Sequence, residues 1–330
     1  MTSADRLMDE AIAVALILDR LSRHSFQVAA ERLARLREDL LVLVIRHDPT
    51  SLRYEANRRA RLAALIEECE TVISQTYLEI AARIEQDLLD AETLTQDSLS
   101  SLIALLLFIK GLSRRLDTEA LETVRDGTLI TGVTVRDWLA RQSGDLRFRT
   151  RAALEGTMRG REIGRPARTN DLIDAIRHER PGSLFGTAMR HSESLIISAH
   201  HAVANSVRFE TIIRHPELFR ALQHLSILDS RTTDICESRA NRLWTLDGVG
   251  IGHRMVFMRP PIHYRCRSHI VPVMHRYADL SPRIQRRVRR EDFTGTAARQ
   301  PELNTWLSER GLKRDGTPTD YTGARRDLGL

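Results

Sequence analysis

The chain has 330 residues, 42% hydrophobic, 28% charged and only 5% aromatic, so a small disulfide-stapled fold is excluded and the core must be aliphatic, which favours helices. The net charge is +6, from 50 basic and 44 acidic residues, and every basic residue except Lys110 and Lys313 is arginine. That bias reads either as the codon usage of a GC-rich genome or as guanidinium groups meant for bidentate contact with phosphates or carboxylates. Cys69, Cys236 and Cys266 cannot all pair within one chain, and no disulfide framework is expected.

Between Asp5 and Ile45 the residues Leu7, Ala11, Val14, Leu18 and Leu21, then Leu33, Leu36, Leu40 and Leu43, recur at three- and four-residue steps. This spacing predicts one long amphipathic helix, or two in series, broken at His47-Asp48-Pro49. A second helix is predicted over 52–88, and Cys69 lies on its apolar stripe as a small core residue without chemistry. Thr93 and Gln96 have the spacing of a capping box, which predicts a third helix through Leu116. Its centre, Leu102 to Ile109, is the longest apolar run and ends at Lys110, well short of the ~18 residues a bilayer requires, so no membrane span is expected. The first ten residues carry acids and no basic-then-apolar pattern, which predicts no secretory signal and synthesis in a cytoplasm.

A boundary near residue 117 is expected where the pattern breaks at Asp126-Gly127 and Thr131-Gly132. Met158 to Arg168 reads as a basic loop whose glycines fit no phosphate-binding spacing, and Ser183 to Ile213 as a long helix. Within it His200 and His201 are adjacent, so they point apart and are not expected to share a metal. The texture then changes to short β-like pieces, LQHLSIL, RLWTL, RMVFM and HIVPV, separated by turn residues. From Arg276 onward a helix over RIQRRVRR would set Arg283, Arg286, Arg287 and Arg290 on one face, with Ile284 and Val288 on another. That positive stripe suits DNA phosphates or an acidic protein surface, or is simply a solvated face. Residues 311–330 are too polar to fold alone and are expected to be extended. The fold class expected is therefore mainly α with a small irregular β-containing unit, α+β, preceded by long helices and followed by an extended tail.

The densest cluster of unusual residues is Asp229-Ser230-Arg231-Thr232-Thr233-Asp234-Ile235-Cys236, then Leu246-Asp247-Gly248, then Pro260-Pro261-Ile262-His263-Tyr264-Arg265-Cys266-Arg267. Asp229 and Arg231 are expected to tie a turn through side-chain hydrogen bonds. The order of these motifs resembles the phage head morphogenesis family, the Mu F-like minor head proteins. In that family an Asp-x-Arg-Thr turn with cysteines precedes a Leu-Asp-Gly turn, a Pro-Pro-x-His segment and a Cys-Arg motif. Asp229, Arg231, Thr232, Gly248, Pro261 and Arg267 carry the match, and Arg190-His191-Ser192-Glu193 stands in place of an upstream Arg-x-Glu-like element.

The resemblance covers about residues 118–275, a head-morphogenesis core, and leaves outside it the N-terminal helical region (1–117) and the arginine-rich extended tail (276–330). It implies a structural minor head protein of a tailed phage or prophage, not an enzyme, acting in procapsid assembly at the portal vertex. Its partners would be the portal protein, the major capsid protein and packaged double-stranded DNA. Its place would be the head or neck of the virion, after assembly in the host cytoplasm. No cofactor is required by this reading, yet Cys236, His263 and Cys266 could bind a structural zinc, with His269, or else His253, as fourth ligand. Thr233 and Ser268 stand where relatives with a zinc site carry further cysteines, which weakens that expectation. The alternative function is a metal-dependent, nuclease-like enzyme using His263 with Cys236 and Cys266.

Overall fold

The computed structural model describes residues 2–50, 55–107, 115–160, 168–178, 182–286, 288–290 and 293–310. The described chain is mainly helical with two small antiparallel sheets, the expected class. In chain order the elements are α1 (Ser3–His47), α2 (Glu55–Leu107), α3 (Thr118–Asp126), β1 (Leu129–Ile130), β2 (Val133–Thr134), α4 (Val135–Gly160), α5 (Thr169–Arg177) and α6 (Leu184–Ile213). There follow β3 (Phe219–Leu225), α7 (Asp234–Glu237), β4 (Leu243–Thr245), β5 (Gly250–Ile251), β6 (His269–Met274), α8 (Pro282–Gln285) and α9 (Leu303–Glu309).

Two compact units are formed, and they interleave along the sequence: 1–24, 87–134 and 197–330 in the first, 25–86 and 135–196 in the second. The boundaries expected at 117 and 275 both fall inside the first unit. The interleaving follows from α1 and α2, each of which is long enough to supply both units. Neither helix contains a glycine or proline, so nothing interrupts the backbone hydrogen bonding. For the same reason no third helix begins at Thr93. Thr93 is exposed inside α2, Thr95 Oγ1 donates to the Ala91 carbonyl (2.8 Å), and Gln96 Oε1 accepts from the Leu116 N–H (3.0 Å) instead of capping.

The second unit is built from helices packed on an aliphatic stripe that includes Leu33, Leu40, Ile73, Leu146 and Ile196. Cys69 lies on that stripe, fully buried, with its thiol pushed up to about 12 by burial. In the first unit Leu7, Ala11 and Ala15 of α1 and Leu99 and Ile103 of α2 pack with the sheet residues Phe219, Leu222 and Ile270. Arg208 of α6 is buried there, donating to both Glu10 carboxylate oxygens (2.9 and 2.6 Å) and to the Ile270 carbonyl (3.0 Å).

The larger sheet has the order β5-β4-β3-β6, antiparallel throughout, with Leu222 opposite both Trp244 and Pro272. Pro272 is tolerated because β6 is an edge strand. LQHL, LWT and HIVPV form strands as read from the sequence, but RMVFM does not. Its carbonyls are taken by side chains: Trp244 Nε1 donates to Met255 (2.8 Å) and Arg239 to Val256 (3.2 Å). β5 takes the strand position beside β4.

The described residues after Arg276 do not form the extended tail expected there. Residues 293–310 belong to the first unit, with Leu303, Trp306 and Leu307 of α9 buried and Trp306 Nε1 donating to Asp9 (2.8 Å). Residues 311–330 lie outside the described residues. The helix over RIQRRVRR stops after Gln285, whose carbonyl accepts from Tyr277 Oη (3.0 Å) while its amide donates to the Tyr277 and Leu280 carbonyls (both 2.9 Å). Arg283, Arg286 and Arg290 are exposed but do not share one helical face, and Arg287 lies outside the described residues.

Candidate metal centre

The segment after β3 turns tightly because its short polar side chains bond their own backbone. The Asp229 N–H donates to Thr232 Oγ1 (2.8 Å), the Arg231 N–H to Asp229 Oδ1 (2.9 Å), and Thr232 Oγ1 to the Ile227 carbonyl (2.7 Å). Arg231 itself points outward, and the main partner of Asp229 is Arg267, which donates to both carboxylate oxygens (2.9 and 2.7 Å). This fork ties the turn to the Cys-Arg motif 38 residues later. Between them Gly248 adopts φ +83°, which a side chain would strain, and lets the chain turn from β4 into β5 beside Phe257. The Pro260–Pro261 peptide is cis.

The fork brings Cys236 on α7 against His263 and Cys266. Their ligand atoms lie within 4.8 Å of one another: Cys236 Sγ is 3.0 Å from His263 Nε2 and 3.7 Å from Cys266 Sγ. Both sulfurs belong to buried residues, and His263 is half-buried. His263 Nδ1 is 2.7 Å from the Tyr264 carbonyl, which can only accept, so Nδ1 carries the proton and Nε2 offers its lone pair to the group. Thr233 Oγ1 also meets Nε2, at 2.8 Å.

The two thiols are unequal. Cys266 is lowered to about 6, chiefly by the hydrogen bond from Cys236 and also by bonds from Ser268, although burial opposes this. Cys236 is raised, first by that same hydrogen bond and then by burial, while the rings and hydroxyls of His224 and Ser268 pull the other way. The hydrogen bond between them thus favours the thiolate at Cys266 and keeps the proton on Cys236. Thiolate and neutral imidazole are the forms that ligate soft and borderline metals, so this group could hold a metal ion.

No protein-family model, curated protein or solved structure matches the chain. The site therefore stands on its own geometry. Among the described residues the group has three members, and His269 and His253 are not among them. His269 faces α6, with Nε2 2.9 Å from His201 Nδ1, and His253 Nε2 meets the Leu243 carbonyl at 2.8 Å. His269 stands opposite Leu225 in the β3–β6 register, and strand alternation turns it from the side used by its neighbours. Thr233 and Ser268, at the positions of the further cysteines, are hydrogen-bond partners of the group rather than ligands. Arg190 to Glu193 lie on α6 in the second unit.

Sequence reasoning missed His224 and the Glu10–Arg208 pair. His224 sits in a strand buried along nearly its whole length, is 1% exposed, and among the described residues its Nε2 has no hydrogen-bond partner. The one signal available was a histidine at a position where the strand pattern calls for a buried residue.

Proposed function

We propose that this chain is a structural minor head protein of a tailed phage or prophage, acting in procapsid assembly at the portal vertex, and that Cys236, His263 and Cys266 hold zinc as a staple. The observation that carries the reading is that the two outer motifs of the resemblance, Asp229 to Cys236 and Pro260 to Arg267, are joined by the Asp229–Arg267 fork around one thiol–imidazole group. The donor set also suits zinc. Zinc–sulfur bonds of ~2.3 Å in a tetrahedron imply sulfurs about 3.8 Å apart, against the 3.7 Å found between Cys236 and Cys266.

Burial of both sulfurs supports a staple over catalysis, because it leaves a substrate little access to the group. Zinc bound there would supply folding energy, linking a turn, a short helix and a loop that together bury few apolar side chains. The chain would act by binding the portal protein and the major capsid protein, with its arginines turned toward acidic surfaces or packaged DNA, and would end in the virion head or neck. No described helix is long and apolar enough to cross a membrane.

Fractionation of induced lysates tests this. The chain should sediment with procapsids and heads and label a single vertex, and deletion of its gene should abolish filled heads. Normal head yield without it, with the chain confined to the low-mass fraction, would overturn the proposal.

A further inference from the structure

The zinc-staple reading leaves one coordination position open, since three donors do not complete the four-coordinate shell of a structural zinc site. The expected fourth ligand, His269, is turned toward His201. The sheet presents another candidate on the other side. In β3, side chains alternate, so His224 shares a face with Ser226 just beyond the strand end. Ser226 Oγ donates to the Cys236 carbonyl at 2.6 Å, which places that face against α7 and its cysteine. The backbone of His224 is held by the segment before β4, its N–H donating to the Arg242 carbonyl (3.0 Å) and its carbonyl accepting from the Asn241 N–H (2.9 Å).

We infer that His224 is the fourth ligand of this centre, giving a Cys2His2 site made by Cys236, His263, Cys266 and His224. The inference rests on the zinc reading above. A buried imidazole nitrogen without a partner costs free energy, and among the described residues His224 Nε2 has none, in a residue that is 1% exposed. The His224 ring lies beside the Cys236 side chain. His224 lies outside the 4.8 Å set, so it would close on the group from the Cys236 side. Its other neighbour, the Trp244 ring, lies edge-on at 6.4 Å between centroids and offers no hydrogen bond that would compete with a metal. The two absent cysteines of the resemblance would then be replaced by one histidine from a different element.

X-ray absorption on zinc-loaded, full-length wild-type protein decides the ligand count directly. The inference predicts two sulfurs at ~2.3 Å and two imidazole nitrogens at ~2.0–2.1 Å. Two sulfurs with a single imidazole would overturn it while leaving the staple standing. Failure of the wild type to bind zinc or cobalt at all would overturn the staple and this inference together. A second arm uses cobalt titration of reduced protein. His224→Gln should lose the intense tetrahedral d–d bands and bind at least about tenfold more weakly, since even outer-shell partners are worth 10–100-fold. His269→Gln should keep both. An unchanged tetrahedral spectrum in His224→Gln would contradict the inference, and if that variant does not fold, the absorption measurement on the wild type still stands.

Discussion

His201 and His269 form the most consequential residue-scale feature outside the metal group. Both are fully buried, 2.9 Å apart, and each keeps a ring nitrogen without a partner among the described residues. Burial lowers His201 to about 4 and takes His269 well below the usual 6.5. Unfolding exposes both, so between 6.5 and about 4 the unfolded chain binds protons that the folded one refuses, and stability is full above 6.5 and lost as pH falls through that window. Glu92 works in the opposite sense, raised to about 7 by burial despite Arg125, but two histidines outweigh one carboxylate. The melting temperature should therefore drop by several degrees between pH 7.5 and pH 5, and by less in His201→Gln. A melting temperature independent of pH in the wild type, or the same loss in the variant, would contradict this assignment.

Among the elements, α1 depends most on apolar burial. Leu18 is fully buried among Val14, Ile17, Leu21, Ala91, Leu94 and Ala204. Leu18→Ala should cost about 2–5 kcal/mol and Leu18→Asp more, since the aspartate adds an unpaired buried charge. Urea unfolding checks both, and near-wild-type midpoints would mean this face is not packed. The long helices were legible because their apolar spacing runs without interruption and no breaker falls inside them. The same absence of breakers explains why the Thr93–Gln96 capping pattern misled: a capping box needs the chain to leave the helix first, and nothing there makes it do so. RMVFM failed for another reason. Two of its carbonyls are taken by the side chains of Trp244 and Arg239, and no local pattern announces a partner 11 or 17 residues away. The Cys-His-Cys group was legible because the turn residues around it carry their own geometry. His224 was not, because its relevance comes from sheet pairing with distant strands.

At the scale of the whole molecule, the net-positive, arginine-rich composition suits the attachment role proposed above. Arg283, Arg286 and Arg290 are exposed around the end of α8 and contribute little to stability. Changing all three to glutamine should leave the melting temperature unchanged and reduce recruitment to procapsids. A flattening of the salt dependence of DNA binding by about 0.9 in log–log slope per residue would assign them to phosphates instead. The staple is the most direct point of decision. Metal analysis of purified reduced protein, followed by thermal melting before and after chelation, should give one zinc per chain and a lower melting temperature once the zinc is removed. A chain without zinc that melts at the same temperature with and without chelator would contradict the central claim.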